Sequence, residues 1–270
     1  MKYVARKPRE GINVSDTHPL AEAGILVVAL GAFFAVVALV IVFLVEIVLM
    51  FVSPETEARL FADWAPDDMV SIDAQDERLE PTRALLARLA AHVEGSPYEY
   101  RLEIDSSDVP NAMAFPGGLI VVTSGLLDRA ATENELAFVL GHELGHFRNR
   151  DHLRMLGRSV AIAVFFSAVF GGDSAGGFGL TVADLTARGF NREQESDADE
   201  FGLEMLHAEY GHVADSNRFF ERLLDEGLSQ PAALTYLSTH PSSEDRIADL
   251  QGYAERRGWP LDGPSATLPW

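Results

Sequence analysis

Residues 132–150 read TENELAFVLGHELGHFRNR, and this stretch decides the fold. Thr132 followed by Glu135 has the form of a capping box, and good helix formers come after it, so the pattern predicts a helix running to about Arg150. At 100° per residue, His142 and His146 stand about 40° apart and one turn along that helix, so both imidazoles can reach a single ion. Glu143, beside the first histidine, is placed to take a proton from an attacking water rather than to bind the metal. Gly141 and Gly145 each cost about 1 kcal/mol in a helix interior. Their presence predicts the close approach of another element or of a substrate.

Two histidines leave a catalytic zinc site one protein ligand short. The sequence offers candidates in Arg192-Glu193-Gln194-Glu195-Ser196-Asp197-Ala198-Asp199-Glu200. On a helix, Glu195 and Asp199 share a side, whereas Glu193 and Asp197 lie about 200° away from Glu195. Glu195 is therefore the economical third ligand, and Asp199 is suited to orient a ligand imidazole from behind.

Composition narrows the setting. The 270 residues are 47% apolar and contain 41 acids against 21 bases, a formal charge of −20. Such a field repels phosphate backbones, and no basic patch offsets it, so nucleic acid is excluded as a partner. With no cysteine, a metal site must use His and carboxylates, which is what the helix supplies.

From Gly24 to Val45 the chain runs 22 residues without a charge and stays largely apolar to Val52. That length spans a bilayer and exceeds the core of a signal peptide, so 24–52 reads as an uncleaved transmembrane helix. Lys2, Arg6, Lys7 and Arg9 precede it; Glu55, Glu57, Asp63, Asp67 and Asp68 follow, with Arg59 the lone base. The bias places residues 1–23 in the cytoplasm and the catalytic domain on the extracytoplasmic side. Glu46 reads as interfacial.

The acidic stretch 53–80, with Pro54 and Pro66, reads as a linker, and 81–256 as the domain. Pro81 opens a helix with Leu85, Leu86, Leu89 and Val93 on one face and Gly95 as its stop. Tyr98–Ile104 alternates as a strand. Asn111–Phe115 and Leu119–Thr123, joined by Pro116-Gly117-Gly118, read as a hairpin. The twelve apolar residues Ser159–Phe170 are too short to span and read as a buried or interfacial helix, followed by a glycine-rich lid at 171–179. Two shorter helices end near Arg256, and 257–270 forms a tail without regular structure. His18, His92, His207 and His212 have no partner pattern, and His152 lies off the metal face.

Taken together, the motifs resemble the membrane-associated zinc endopeptidases of the CAAX prenyl protease and HtpX-like family, over about residues 80–255. Gly141-His142-Glu143-Leu144-Gly145-His146 is similar to that family's catalytic helix, and Arg192-x-x-Glu195-x-x-Ala198-Asp199 to its third-ligand segment, with Asn191 where a serine is usual. Asn111-Ala112-Met113-Ala114, continuing to Gly118, resembles its edge strand and turn, which implies substrate binding by strand addition. Thr239-His240-Pro241 with Arg246 resembles its late motif, implying a transition-state role for His240 and an ordering role for Arg246. The resemblance implies an α+β, mostly helical, zincin-type domain with a small antiparallel sheet and one bound Zn2+ per chain. Its substrates would be unfolded or membrane-associated polypeptides, as in envelope quality control. The rival reading is a noncatalytic zinc-bound chaperone or scaffold for extended chains.

Overall fold

The computed structural model describes residues 18–62, 71–170, 190–219, 221–222, 240 and 244–270. Contacts divide the chain into Met1–Leu44 and Val45–Trp270. The first helix, α1 (Pro19–Phe51), is 33 residues long, about 50 Å. It is the one described helix long and apolar enough to cross a membrane, and Leu26, Val27 and Leu39 are each about 70% exposed.

The described parts of the acidic stretch 53–80 contain regular structure. Ser53 caps a short helix, α2 (Pro54–Leu60), accepting a bond from the Thr56 amide, and Pro54 fits because the first turn needs no amide there. Glu57, one of the acids that follow the apolar span, is fully buried. Ile72 bridges to Asp105. The next helix, α3 (Leu79–Ala90), begins two residues before Pro81 and buries Leu85, Leu86 and Leu89 as the periodicity predicts.

The sheet has three strands, β1 (Arg101–Asp105), β2 (Ala112–Phe115) and β3 (Leu119–Thr123), in the order β1-β3-β2. The hairpin is present, with Ala112 opposite Val122 and Gly117 and Gly118 both at positive φ in its turn. The expectation of an antiparallel sheet is corrected: β1 pairs with β3 in parallel, Arg101 beside Leu119 and Asp105 beside Thr123. All five residues of β3 are buried, so its apolar run suits the centre of the sheet, where β1 must join it on the side that β2 leaves free.

A one-turn helix, α4 (Ser124–Leu127), leads to α5 (Glu133–Asn149). Thr132 caps α5 by accepting from the Glu135 amide, but the Glu135 carboxylate reaches the Ala131 amide rather than that of Thr132. Beyond α5 come α6 (Asp151–Phe170), α7 (Arg192–Tyr210) and α8 (Glu244–Arg257). The proposed lid at 171–179 lies outside the described residues.

The α5 glycines answer their question in favour of a neighbouring helix. A Cβ on Gly145 would stand 2.7 Å from Ala198 Cα, and one on Gly141 would stand 3.1 Å from Gly202 Cα. Small residues on both sides thus let the two backbones close up, which brings α7's carboxylates within reach of α5's histidines. Phe138, Phe147, Leu85, Leu89, Ile104 and Ile120 are fully buried around them, each contributing about 1.5–3 kcal/mol. The tail at 257–270 has no regular structure but is fastened down: Ala266 accepts from the Glu133 amide at 2.9 Å and donates to Asn134 Oδ1 at 2.8 Å.

Candidate metal centre

Helix α5 delivers His142, Glu143 and His146, all fully buried. Helix α7 delivers Glu195 and Asp199, each 2% exposed, while Glu193 and Asp197 face solvent as the helix phase predicts. Asn191 caps α7 through a complete capping box with Gln194, so the asparagine performs the cap that a serine would.

His142 Nε2 lies 3.1 Å from His146 Nε2 and 3.8 Å from Glu195 Oε2; His146 Nε2 lies 3.6 Å from Glu195 Oε1. Donors bound tetrahedrally at about 2.0–2.1 Å are separated by roughly 3.3 Å, a spacing these distances bracket. The rear of each imidazole is held by a carboxylate: His142 Nδ1 meets Asp199 Oδ1 at 2.8 Å, and His146 Nδ1 meets Asp151 Oδ2 at 3.1 Å. With both Nδ1 atoms donating backward, both Nε2 lone pairs face forward beside the Glu195 carboxylate. Three converging acceptors fit a cation.

Electrostatics point the same way. Burial opposes a charge on His146, yet Asp151 and Glu195 push its pKa up to about 9; at His142 burial prevails and the pKa falls below the ordinary imidazole value. Glu195 sits well below the usual carboxylate range, because His240, His146 and His142 outweigh its burial.

His240 and Arg246, distant in sequence, both reach the site. His240 Nδ1 is 3.2 Å from both His142 Nε2 and Glu195 Oε1, which makes it a fourth donor in range, and its Nε2 is 3.8 Å from Glu143 Oε1. Arg246 Nη1 lies 2.7 Å from Glu195 Oε2, while its Nε and Nη2 grip both oxygens of Asp199. It therefore ties Glu195 to Asp199, the carboxylate behind His142. The neighbouring Thr239 and Pro241 lie outside the described residues. Both oxygens of Glu143 are buried and, among the described residues, make no hydrogen bond. Such an ionisable group, one residue from His142, is costly to bury without a partner.

The edge strand is a separate matter. Among the described strands β2 pairs with β3 alone, so it lies at the sheet's edge; Asn111, Ala112 and Ala114 are buried and Met113 is half-buried. Side chains offer little there, and the main chain is what the edge can present. His92 pairs with Glu209, His207 stacks on Trp259 and His152 meets Glu57, so none of the three joins the centre.

Two residues at the centre were missed from sequence. Phe190 stacks on the His146 ring with centroids 3.8 Å apart. Asp151 holds the same ring from behind, yet it comes five residues after His146 and beyond the end of α5, where helical periodicity no longer applies. The one available signal was an acid immediately past the helix terminus.

Comparison with known proteins agrees with this geometry. The metalloendopeptidase OMA1 of Danio rerio mitochondria is 28% identical over 72% of this chain and 44% of its own length. The beta-barrel assembly-enhancing protease of Escherichia coli is 26% identical over 63% of this chain and 37% of its own. The metalloprotease LoiP of Escherichia coli is 28% identical over 73% of this chain and 80% of its own. The chain thus spans less than half the length of the first two. The model of peptidase family M48 matches residues 74–254, two thirds of the sequence and every donor described above, and the chain belongs to that family.

Proposed function

We propose that the chain is a zinc-dependent metalloendopeptidase, tethered by α1, that cuts unfolded or membrane-associated polypeptides in membrane or envelope quality control. The observation that carries this reading is Glu143: a buried carboxylate without a hydrogen-bond partner among the described residues, beside three convergent metal donors. His142, His146 and Glu195 would hold one Zn2+. When bound, that ion supplies a Lewis acid for the scissile carbonyl and water acidified toward neutral pH. Glu143 accepts the proton of the attacking water and returns it to the leaving amine. His240, with Nε2 toward Glu143, donates to the oxyanion. Asp199 fixes the tautomer of His142, and Arg246 holds Asp199 and Glu195 in register. The edge of β2, Asn111–Ala114, takes an extended substrate through main-chain bonds, which suits unfolded chains of varied sequence. Residues 1–23 lie in the cytoplasm and the domain outside it.

One observation favours the noncatalytic alternative: with His240 Nδ1 in range, four protein donors are available, and sites closed by four protein ligands are structural. A structural site has no use for Glu143, which supports the enzymatic reading. Casein cleavage by the full chain in detergent tests the choice. Activity should be abolished by a chelator, restored by zinc and lowered by about 10² or more in Glu143→Gln, with zinc content kept. Equal cleavage by wild type and Glu143→Gln would sink the enzymatic reading.

A further inference from the structure

Helix α5 stops at Asn149, and Arg150 takes a left-handed backbone with φ 58° before α6 starts at Asp151. Glycine takes that conformation without strain, whereas arginine adopts it at a cost and needs its surroundings to hold it there. The surroundings do so through Glu57. Its Oε1 meets His152 Nε2 at 2.6 Å, and its Oε2 accepts from Tyr98 Oη at 2.8 Å and from Arg150 Nε at 3.1 Å. Arg150 Nη1 also donates to the Leu49 carbonyl at the end of α1, at 3.2 Å.

Arg150 and His152 thus grip one buried carboxylate, and the residue between them faces the metal donors. Asp151 is 1% exposed; its Oδ2 holds His146 and its Oδ1 accepts from Gln194 Nε2 at 2.6 Å, with Arg154 at 3.5 Å. Gln194 directly precedes Glu195 and completes the cap of α7. An acid in the first turn of α6 has an ordinary role toward that helix's own amides, but both oxygens are engaged elsewhere, by a donor histidine and by the start of the helix that carries the third donor.

We propose that Asp151 is the positioning residue of His146, and that Glu57, which touches no donor of the metal centre, sets metal affinity by pinning the corner that carries Asp151. The membrane-proximal helix α2 is then part of the metal site's framework. This rests on reading the centre as a zinc site, and one variant separates the two claims: His146→Ala should lose zinc, and retention of zinc there would remove the site itself.

Zinc affinity of the full chain in detergent, measured against a competing chelator, tests the proposal without reference to activity. Asp151→Ala should bind zinc about 10- to 100-fold more weakly, and Asp151→Asn, which keeps an acceptor for His146, should fall between it and wild type. Glu57→Gln, acting through the corner, should weaken binding about 3- to 10-fold. Leu89→Ala, in the core away from the centre, serves as the stability control: it should lower Tm and leave zinc affinity unchanged. Wild-type affinity in Asp151→Ala, or in Asp151→Asn should the alanine variant fail to fold, overturns the role of Asp151. A loss in Glu57→Gln no greater than that in Leu89→Ala overturns the role of Glu57.

Discussion

Helices α1 and α5 invert the usual relation between polarity and burial. Between Gly24 and Val45, α1 carries no charge, yet its leucines and valines are largely exposed. In α5, by contrast, His142, Glu143 and His146 are fully buried. Each helix therefore suits a different surrounding. The exposed apolar surface of α1 suits a bilayer. The buried imidazoles of α5, converging with Glu195, suit a cation. The difference teaches that an exposed apolar face and a buried polar one both point to a partner, and that the partners differ in kind.

The comparison breaks most sharply at α5's partner helix. Glu195→Ala should leave purified protein nearly free of zinc by elemental analysis, whereas Glu193→Ala and Asp197→Ala, both on the solvent side, should match wild type. Zinc retained in Glu195→Ala would mean that the buried polar face of α5 is completed by something else. Next in size is α1. An arginine at the centre of a membrane helix costs about 2.5–3.5 kcal/mol for insertion, so Val36→Arg should move a measurable share of the chain out of the membrane fraction while leaving its zinc content intact. An unchanged distribution would show that lipid is not the partner of α1.

Smaller again is the contact that brings α5 and α7 together. Gly145→Ala meets backbone at Ala198 that cannot step aside, and it should lower stability by about 1–3 kcal/mol in a denaturant titration. Gly252→Ala in α8 is the counterpart: the added methyl meets only the flexible end of Arg256, so helix propensity should raise stability by up to about 1 kcal/mol. If both substitutions shifted stability in the same direction, close packing would not be what the α5 glycines provide.

The smallest effect is one of pH. Although burial opposes it, contacts with His152, Tyr98 and Arg150 hold the Glu57 pKa below the ordinary carboxylate value. A carboxylate with a lowered pKa in the folded chain contributes stability that is fully present above its unfolded pKa and is lost as pH falls through the folded one. Melting curves taken below about pH 4.5 should therefore show a shallower acid decline in Glu57→Gln than in wild type. Parallel declines would mean that the Glu57 pKa is the same in the folded and the unfolded chain.

What the sequence disclosed and what it hid follow from how far local rules reach. Helical phase alone separated Glu195 and Asp199 from Glu193 and Asp197, because all four lie within one uninterrupted helix. The same phase could not carry from His146 to Asp151, since the left-handed residue at Arg150 resets it. The hairpin was legible from its turn, but the parallel docking of β1 depends on which strand ends in the centre, and no short window contains that information. Glu57 was hidden for a different reason. In a run of acids each looks solvated, and only the three-dimensional meeting with Tyr98, Arg150 and His152 singles one out.

The bond from the Glu133 amide to Ala266 has a consequence for the order in which the molecule can be finished. The first turn of α5 takes part of its hydrogen bonding from a residue more than 130 positions later, and Asn134 waits for the same partner 132 positions away. Synthesis runs from the N-terminus, so α1 and α5 both leave the ribosome long before Ala266 exists. The helix that carries His142, Glu143 and His146 is thus closed off at its N-terminal end only after every other helix and strand described has been made, and in a nascent chain the start of that helix is still open to water.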